Sequence, residues 1–294
     1  MNRTENIKPE RKSGGLWHFN PAQNRPLIMG ILNVTPDSFS DGGKYYSTDE
    51  AVERGLKMIE EGADIIDIGG ESTRPGSESV PQDEQIRRVC PVIGKIKECL
   101  PEAVISIDTT SSLVAGDAVD AGAVIINDVS ALRFDEKMVQ VAVKKGTGLI
   151  LMHMKGSPKD MQKNPRYNDI INEIYTFLAE RGNYSEESGV PRNRIVVDPG
   201  IGFGKTVEGN IELLRAIPVF KKSGYPVLIG ASRKSFIGKI TGRDVEARLA
   251  GSVAVNCICA MNDVDILRVH DVKETVDVLK IIASYKSNRS SGDV

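Results

Sequence analysis

Polar side chains recur along this chain at the points where short apolar segments end. They are of the types that bind and activate small molecules: carboxylates, amides, hydroxyls, imidazoles and long cations. In chain order the set is Asn33, Glu71 with Ser72 and Thr73, Asp108, Asn127 with Asp128, His153, Asp198, Ser232 to Ser235, and Arg268 with His270. Any one of them alone is explained as a helix cap, but a set that follows every such segment predicts a shared site.

The set divides into two kinds of chemistry. Carboxylates and an amide suit the edge of a planar heterocycle with several N–H groups, and these are Asp108, Asn127 and Asp198. Cationic or donor groups suit a phosphate or diphosphate, and these are Lys234, Arg268 and His270. The residue types therefore predict a heterocyclic ligand that carries a phosphorylated arm.

The glycine-rich segment 198–206, DPGIGFGKT, resembles a phosphate-binding loop only at first sight. Such a loop needs glycine five residues before its Gly-Lys pair, and Pro199 stands at that position. We interpret the glycines as positions that let the backbone pass close to a flat ligand held by Asp198. The segment therefore does not predict an ATPase.

Neither a Ser-His-Asp triad nor a zinc site is indicated. The histidines are His18, His153 and His270, and no Gly-x-Ser-x-Gly motif is present. A packing role and a site role are equally open for His153. Magnesium is compatible with the sequence, because a diphosphate supplies many of its oxygen ligands.

Eight short runs rich in β-branched residues position these side chains, and segments with helical spacing separate them. The runs cover residues 27–34, 64–69, 104–108, 124–129, 148–153, 195–198, 227–230 and 265–269. Alternation of strand and helix predicts a parallel sheet, and eight units favour a (β/α)8 TIM barrel with its site at the C-terminal rim. An open, doubly wound dinucleotide fold is the alternative, but no Gly-x-Gly-x-x-Gly turn follows the first run.

The length of 294 residues fits one large domain or two small ones, and eight consecutive units favour one. We predict an N-terminal extension over residues 1–24, a barrel over 25–283 and a polar C-terminal tail over 284–294. Helices are predicted over 49–61, 83–100 and 112–121, with a buried helix over 249–261. Residues 33–46 and 69–81 are predicted to form long loops over the site.

Composition excludes several partners. The formal net charge is −2, from 38 Lys and Arg against 40 Asp and Glu, so no excess positive charge favours nucleic acid or an anionic membrane. Residues 1–12 lack the apolar segment of a signal peptide, and no apolar run reaches the roughly 18 residues that span a bilayer. The four cysteines lack redox or zinc spacing and are expected to be reduced. A cytoplasmic location is predicted.

Longer motifs around the site residues carry a resemblance to a known family. They are GILNVTPDSFSDGG (30–43), GGESTRPG (69–76), SIDT (106–109), INDVS (126–130), MHMKG (152–156), DPGIGFGK (198–205), SRKS (232–235) and RVHD (268–271). With these motifs the chain closely resembles the dihydropteroate synthases, pterin-binding transferases of folate biosynthesis, over nearly its whole length.

The resemblance implies a reaction and its partners. A single-domain (β/α)8 barrel would join 6-hydroxymethyl-7,8-dihydropterin diphosphate to p-aminobenzoate, giving 7,8-dihydropteroate and pyrophosphate. It would use Mg²⁺, form a homodimer and be a sulfonamide target. Loss of diphosphate would be SN1-like, leaving a cationic pterin-methyl unit.

The resemblance also assigns roles by motif position. Pterin diphosphate would contact Thr73, Asp108, Asn127, Met152, Asp198, Lys234, Arg268 and His270. Aminobenzoate would contact Phe39, Pro75 and Ser235, and Asn33 would be the magnesium ligand. The catalytic residues would be Asp41, Lys234 and Arg268, with Asp41 stabilising the cationic intermediate. Arg268 and His270 would bind the diphosphate.

Two other functions are compatible with a pterin-binding barrel. One is a methyltransferase domain that passes a methyl group from methyltetrahydrofolate to a corrinoid, although that domain has no use for an aminobenzoate lid. The other is a catalytically silent pterin-binding relative. Release of pyrophosphate from the two synthase substrates separates the synthase from both.

Overall fold

A computed structural model of the chain describes residues 25–35, 48–72, 77, 79–156, 161 and 165–287. Within these residues, eight parallel strands alternate with helices. The strands are β1 Leu27–Asn33, β2 Ile65–Gly69, β3 Ile105–Asp108, β4 Ile125–Asp128, β5 Gly148–Met152, β6 Ile195–Asp198, β7 Leu228–Ile229 and β8 Ile266–Val269.

The strands form one closed barrel. Their order is β6-β5-β4-β3-β2-β1-β8-β7, and a parallel bridge between Val197 and Val227 joins the β6 and β7 ends of this series. The (β/α)8 prediction is therefore confirmed. Each predicted run contains the corresponding strand.

Ten helices surround the strands in the part of the chain that is described. They are α1 Thr48–Glu60, α2 Gln82–Cys99, α3 Ser112–Asp120, α4 Met138–Lys145, α5 Ile170–Glu187, α6 Val207–Arg215, α7 Ile217–Phe220, α8 Ser235–Thr241, α9 Leu249–Met261 and α10 Val272–Ser287. Helix α10 crosses the boundary at residue 283 where the polar tail was predicted to begin. Over the described ranges, no helix has the length and apolar character that a membrane crossing requires.

Side-chain alternation along the strands separates an apolar plug from a polar rim. The interior plug consists of Leu27, Met29, Ile65, Ile125, Ile150, Val196, Leu228 and Ile266. Residues two positions further along a strand face the same side, nearer the C-terminal end. On that basis Ile65, Ile125, Val196 and Ile266 are followed by Asp67, Asn127, Asp198 and Arg268. The polar residues of the rim thus lie above a buried apolar base.

Helix α9 differs from its prediction as a buried helix. Its bounds agree, and Cys259 is buried, but Ile258 and Met261 are 48% and 41% exposed and Cys257 is only partly buried. Ser252 and Asn256 lie on the buried side and the other residues of the helix are small or apolar, so packing that side on the barrel leaves an apolar side uncovered. The sequence pattern cannot distinguish this arrangement from complete burial.

Candidate active site

A cavity of about 470 Å³ opens at the C-terminal ends of the strands. It lies toward β1, β7, β8 and the start of α8. Its wall includes Asn33, Ser72, Phe203, Ser232, Arg233, Lys234, Ser235, Arg248, Arg268 and His270. Five of the predicted site residues therefore line one cavity, namely Asn33, Lys234, Ser235, Arg268 and His270.

Arg268 connects this cavity to three buried polar residues, which we call the acceptor floor: Asp67, Asp108 and Asn127. Arg268 Nε donates to Asp67 Oδ2 at 2.6 Å, and Arg268 Nη2 donates to Asp108 Oδ2 at 2.7 Å. Asn127 Nδ2 donates to the same Asp67 oxygen at 3.0 Å. Since Asp67 is completely buried, this network is fixed from within the barrel.

The acceptor floor has unused hydrogen-bonding capacity. Asp67 Oδ1 and Asp108 Oδ1 are buried and have no hydrogen-bond partner among the described residues. A carboxylate only accepts, so Asn127 must turn its Nδ2 toward Asp67 and keep its amide oxygen for another donor. The floor therefore offers acceptors to N–H groups, as the sequence predicted for Asp108 and Asn127.

Burial and the positive charge of Arg268 shift the pKa of Asp108 in opposite directions. The pKa of this carboxyl is raised to about 7, chiefly by burial; the positive charge of Arg268 opposes the increase, and the negative charge of Asp67 contributes to it. One positive charge thus faces two buried carboxyl groups, so a negative charge remains when both are ionised. Two of the guanidinium nitrogens of Arg268 are already committed, so the side chain offers chiefly Nη1 to a ligand.

Asp198 ends β6 beside Met152 of β5 and shapes the glycine-rich loop. Its Oδ1 accepts from the Gly200 N–H at 2.7 Å. Gly200 has φ +71°, and a Cβ at this position would lie 2.0 Å from the His153 carbonyl oxygen. The sequence interpretation, in which the glycines approach a flat ligand, is therefore corrected at Gly200, where the close neighbour is protein backbone.

Lys234 lies between this loop and the cavity. Its Nζ donates to the Ile201 carbonyl oxygen and lies 4.3 Å from the centre of the Phe203 ring. Desolvation by burial lowers the pKa of Lys234 to about 7, which the negative charge of Asp198 partly opposes. An ammonium with this pKa can change its charge near neutral pH.

The turn that presents Lys234 is held in an unusual conformation at Arg233, whose φ of 56° is left-handed. Arg233 N donates to Ser252 Oγ at 2.9 Å, and Arg248 Nη1 donates to the Arg233 carbonyl at 3.0 Å. The Arg233 guanidinium donates to both Asp271 oxygens, at 2.5 and 3.1 Å. These contacts offset the strain and fix the residues that follow.

His270 completes a group that we call the cationic wall: Arg233, Lys234, Arg248 and His270. His270 N donates to Ser232 Oγ at 3.2 Å, and its Nδ1 lies 3.1 Å from the same oxygen. The wall lines the cavity next to Ser235. Its positive and donor groups suit an anionic arm of the ligand, as predicted for Lys234 and His270.

Other residues of the predicted set support loops. Glu71 accepts from Val80 N at 2.9 Å and from Gln85 Nε2 at 3.3 Å. Asp128 accepts from Ser130 N at 2.7 Å and from Leu132 N at 2.8 Å, which holds Leu132 at a left-handed φ of 65°. Both carboxylates therefore brace the loops that follow β2 and β4.

His153 and Met152 have largely packing environments. The His153 ring meets the Phe177 ring edge-on at 4.9 Å between centroids, and burial lowers the pKa of His153 to about 2. Met152 packs with Val129, Met154, Met161 and Phe203, of which Met161 and Phe203 line the cavity. His153 is therefore neutral and unsuited to proton transfer near neutral pH.

Four predicted site residues lie outside the described residues: Phe39, Asp41, Thr73 and Pro75. Conversely, the sequence analysis missed Asp67 and Asp271. Asp67 interrupts the apolar run Ile65-Ile66-Asp67-Ile68, and a charge on the inward face of a strand is a usable signal. The search for strand ends passed over it because Asp67 lies two residues before the end of β2.

Known proteins resemble this chain over most of its length. The sequence model described as "Pterin binding enzyme" matches residues 29–270. Dihydropteroate synthase of Clostridium beijerinckii is 46% identical over 268 residues, which are 91% of this chain and 96% of that protein.

Solved structures of such enzymes share the fold. The structure of Xanthomonas albilineans dihydropteroate synthase with 4-aminobenzoic acid gives a TM-score of 0.84 at 45% identity, covering 89% of this chain and 93% of that one. The structure of the Yersinia pestis enzyme with a sulfonamide drug complex gives a TM-score of 0.85 at 40% identity, and the match covers 90% of this chain and 95% of that one. The residues 29–270 that the sequence model matches include the lining residues of the cavity.

Proposed function

Because the chain belongs to the pterin-binding enzyme family, and within it to the dihydropteroate synthases, we propose that the cavity joins 6-hydroxymethyl-7,8-dihydropterin diphosphate to p-aminobenzoate. The chain is a transferase of folate biosynthesis, and the products of this reaction are 7,8-dihydropteroate and pyrophosphate. The assignment of this reaction to the cavity rests on one observation. Arg268 joins a buried set of acceptors to a cavity lined by cations and donors.

The acceptor floor and Asp198 would bind the pterin ring. Asp108 Oδ1 is buried without a partner, so an N–H of the amino-pyrimidine edge would satisfy it. Asp198 would accept from the same edge, and Lys234 would donate to the oxo group. Met152 would pack below the ring together with its apolar neighbours.

The cationic wall would stabilise the departing diphosphate. The C–O bond of the pterin-methyl group breaks, and its electron pair leaves with pyrophosphate. The nitrogen of p-aminobenzoate then forms the new C–N bond and gives up a proton to pyrophosphate or water. His270, with the remaining donor of Arg268, would lower the energy of the separating charges. Asp41, outside the described residues, is proposed to stabilise the cationic carbon.

Magnesium is proposed as a cofactor that binds chiefly through the diphosphate. In the described ranges no cluster of three or more His, Cys, Asp or Glu residues is suited to a metal. Asn33 lines the cavity at the end of β1. A single amide oxygen suits a cation that keeps water and phosphate ligands. Bound there, the ion would neutralise charge on the leaving group.

The aminobenzoate site is proposed beside Ser235. This residue is exposed at the start of α8 and lines the cavity next to the cationic wall. Its hydroxyl would donate to the carboxylate of p-aminobenzoate, with Phe39 and Pro75 closing over the ring. Thr73 would line the pterin diphosphate site. We propose that sulfonamides compete with p-aminobenzoate at this position.

A homodimer is proposed through the uncovered faces of α9 and α10. Between them lies an apolar groove lined by residues that include Leu249, Val253, Val278 and Ile281. Ile281 is 72% exposed, which is costly for a large apolar side chain. Sedimentation should show a dimer that Ile281→Glu dissociates. Ile240→Glu changes an exposed isoleucine on α8 and should leave the dimer intact.

A cytoplasmic location is also proposed. All four cysteines are free in the structure, which agrees with a reducing compartment. Fractionation of the source cells with antibodies against the protein tests this location.

The decisive experiment mixes the protein with pterin diphosphate and p-aminobenzoate and follows pyrophosphate and dihydropteroate together. We expect equal amounts of both products. Asp198→Ala should abolish pterin binding, whereas Ile240→Glu should leave turnover unchanged. A folded protein that binds pterin without turnover would be a silent relative. Methyl transfer from methyltetrahydrofolate to a corrinoid would support the methyltransferase.

A further inference from the structure

Lys205 ends the glycine-rich loop, and no step of the proposed reaction uses it. It is only 3% exposed, although burial removes the hydration that an ammonium group needs. Its Nζ donates to the carbonyl oxygens of Phe203 at 2.8 Å and His153 at 3.3 Å. It also lies 3.1 Å from His153 Nδ1. The hydrogen-bond partners of Lys205 Nζ are therefore atoms of the protein itself.

The hydrogen-bond partners of Lys205 are compatible with a charged amine. An ammonium group has three hydrogens, one for each of these three acceptors, provided that His153 Nδ1 carries no proton. A neutral amine would instead donate to the two carbonyls and accept from a protonated Nδ1. Burial lowers the pKa of Lys205 well below its ordinary value of 10.5, and the negative charge of Asp198 opposes that change. The ammonium form requires His153 to carry its proton on Nε2.

The contacts of Lys205 join two neighbouring elements. The lysine lies after β6, and the His153 backbone follows β5. Phe203, whose carbonyl accepts from Lys205, places its ring against Lys234. Tyr167 Oη donates to the Gly204 carbonyl at 2.9 Å and holds the same loop from outside. Lys205 therefore fixes a loop that carries one side of the cavity.

Asp198 is the carboxylate on which the charge of Lys205 acts. Burial raises the pKa of Asp198, and Lys234, the Gly200 N–H, Lys205 and Arg268 each lower it. These groups come from the start of α8, the loop after β6 and strand β8. Strand β5 is followed by the neutral His153. Lys205 is thus one of three cations that favour an ionised Asp198.

We propose that Lys205 is a positioning residue for the pterin: it fixes the loop 199–204, whose Gly200 N–H donates to Asp198, and its positive charge favours the carboxylate that accepts hydrogen bonds from the ligand. The inference rests on the assignment of Asp198 to pterin binding under the proposed function. It explains why a fully buried lysine occupies a place where methionine would pack at lower desolvation cost.

Calorimetry with 6-hydroxymethylpterin between about pH 5 and 9 tests the proposal in Lys205→Met. Loss of the positive charge raises the pKa of Asp198, so the pH below which binding is lost should rise by about one unit. Affinity near the acid limb should fall about tenfold. Lys155→Met is the control, because Lys155 is 43% exposed and contacts the Tyr167 ring instead. That variant should keep the wild-type pH profile.

A measurement on the wild-type protein covers the case in which Lys205→Met does not fold. With ¹⁵N-labelled lysine, Lys205 Nζ should give an ammonium signal with slow hydrogen exchange at neutral pH. Lys234→Met assigns the second buried lysine signal by its loss. A neutral amine at Lys205 overturns the proposal, as does a Lys205→Met profile without the shift. Absence of binding by the wild-type protein contradicts the pterin assignment itself.

Discussion

In the proposed function the acceptor floor and the cationic wall bind two parts of one ligand, but the two regions are built in different ways. The floor lies on β2, β3 and β4, where Asp67, Asp108 and Asn127 are buried and joined through Arg268. The wall lies on loops after β7 and β8, where Arg233 remains 31% exposed. Most of its contacts orient the backbone of a turn.

The difference matches the two parts of the proposed ligand. A flat heterocycle needs acceptors at fixed positions, and burial of the floor strengthens their hydrogen bonds. A diphosphate must enter and leave as an anion, so its contacts are better placed at an accessible wall. Substitutions in the floor should therefore change stability and pterin binding together, whereas substitutions at the wall should change steps that involve the diphosphate.

Arg268→Ala is expected to have the largest effect, because it leaves both floor carboxylates buried without their common cation. The free energy of unfolding should fall by about 3 to 5 kcal/mol, as when one partner of a buried ion pair is removed. Pterin itself should bind more weakly, in addition to the diphosphate. Urea denaturation and calorimetry measure both changes. Arg248→Ala is the matched control on the cationic wall. If both variants lost the same free energy of unfolding, the floor and the wall would not differ in their contribution to stability.

Asp67→Ala should have the next largest effect. Arg268 Nε and Asn127 Nδ2 would lose their common acceptor, which costs about 1 to 3 kcal/mol in pterin binding, or roughly 5- to 150-fold in affinity. The KM for p-aminobenzoate should stay unchanged. Asp67→Asn should recover most of the affinity, because its amide oxygen can accept both bonds. If the asparagine variant bound as poorly as the alanine variant, charge rather than orientation would dominate.

The dependence of kcat/KM on pH should report on both regions, through Asp108 in the acceptor floor and Lys234 in the cationic wall. Burial raises the pKa of Asp108 to about 7 and lowers that of Lys234 to about 7. As pH falls below this value, Asp108 takes up a proton and ceases to be a pure acceptor. As pH rises above it, Lys234 loses its positive charge. Values of kcat/KM for pterin diphosphate should therefore be highest near neutral pH.

Lys234→Arg separates the two limbs of that profile. Arginine keeps its charge in this pH range, so the alkaline limb should disappear while the acid limb persists. Rates measured at saturating p-aminobenzoate give the comparison. An alkaline limb unchanged in this variant would show that another group controls it.

Ser235→Ala should have the smallest effect, since this side chain is exposed and would make a single hydrogen bond to the aminobenzoate carboxylate. The KM for p-aminobenzoate should rise about fivefold, corresponding to about 1 kcal/mol. Affinity for pterin should not change, and the apparent sulfonamide Ki should rise by a similar factor. Steady-state kinetics with each substrate varied in turn tests this. A larger change for pterin would place Ser235 in the other subsite.

Asp198 and Asp67 show how far the sequence predicts the site. Asp198 ends a strand and precedes a glycine-rich loop, so residue type and position together identified it. Asp67 lies inside an apolar strand, and its contacts depend on the closed barrel. Arg268 was predicted to bind the diphosphate, and in the structure its Nε and Nη2 donate hydrogen bonds to Asp67 and Asp108. Its sequence position gives no information about these partners.

Helix α9 shows the same separation between local pattern and tertiary contact. Its bounds follow from a continuous run of small and apolar residues, and the structure confirms them. The buried face was not predicted from that run, since its residues are small or apolar on both sides and the polar Ser252 and Asn256 turn inward. The packing of one side on the barrel left Ile258 and Met261 exposed.

The sequence by itself determined the eight alternating units, the polar character of the strand ends and the family motifs, because strand periodicity and residue chemistry are local properties. Only the tertiary structure decided which charges meet. Arg268 and Asp67 are 201 residues apart, and barrel closure places their strands on either side of β1. The pairing of β5 with β6 brings Lys205 next to His153. Burial then lowers the pKa of Lys205, and this desolvation depends on neighbours that no local motif specifies.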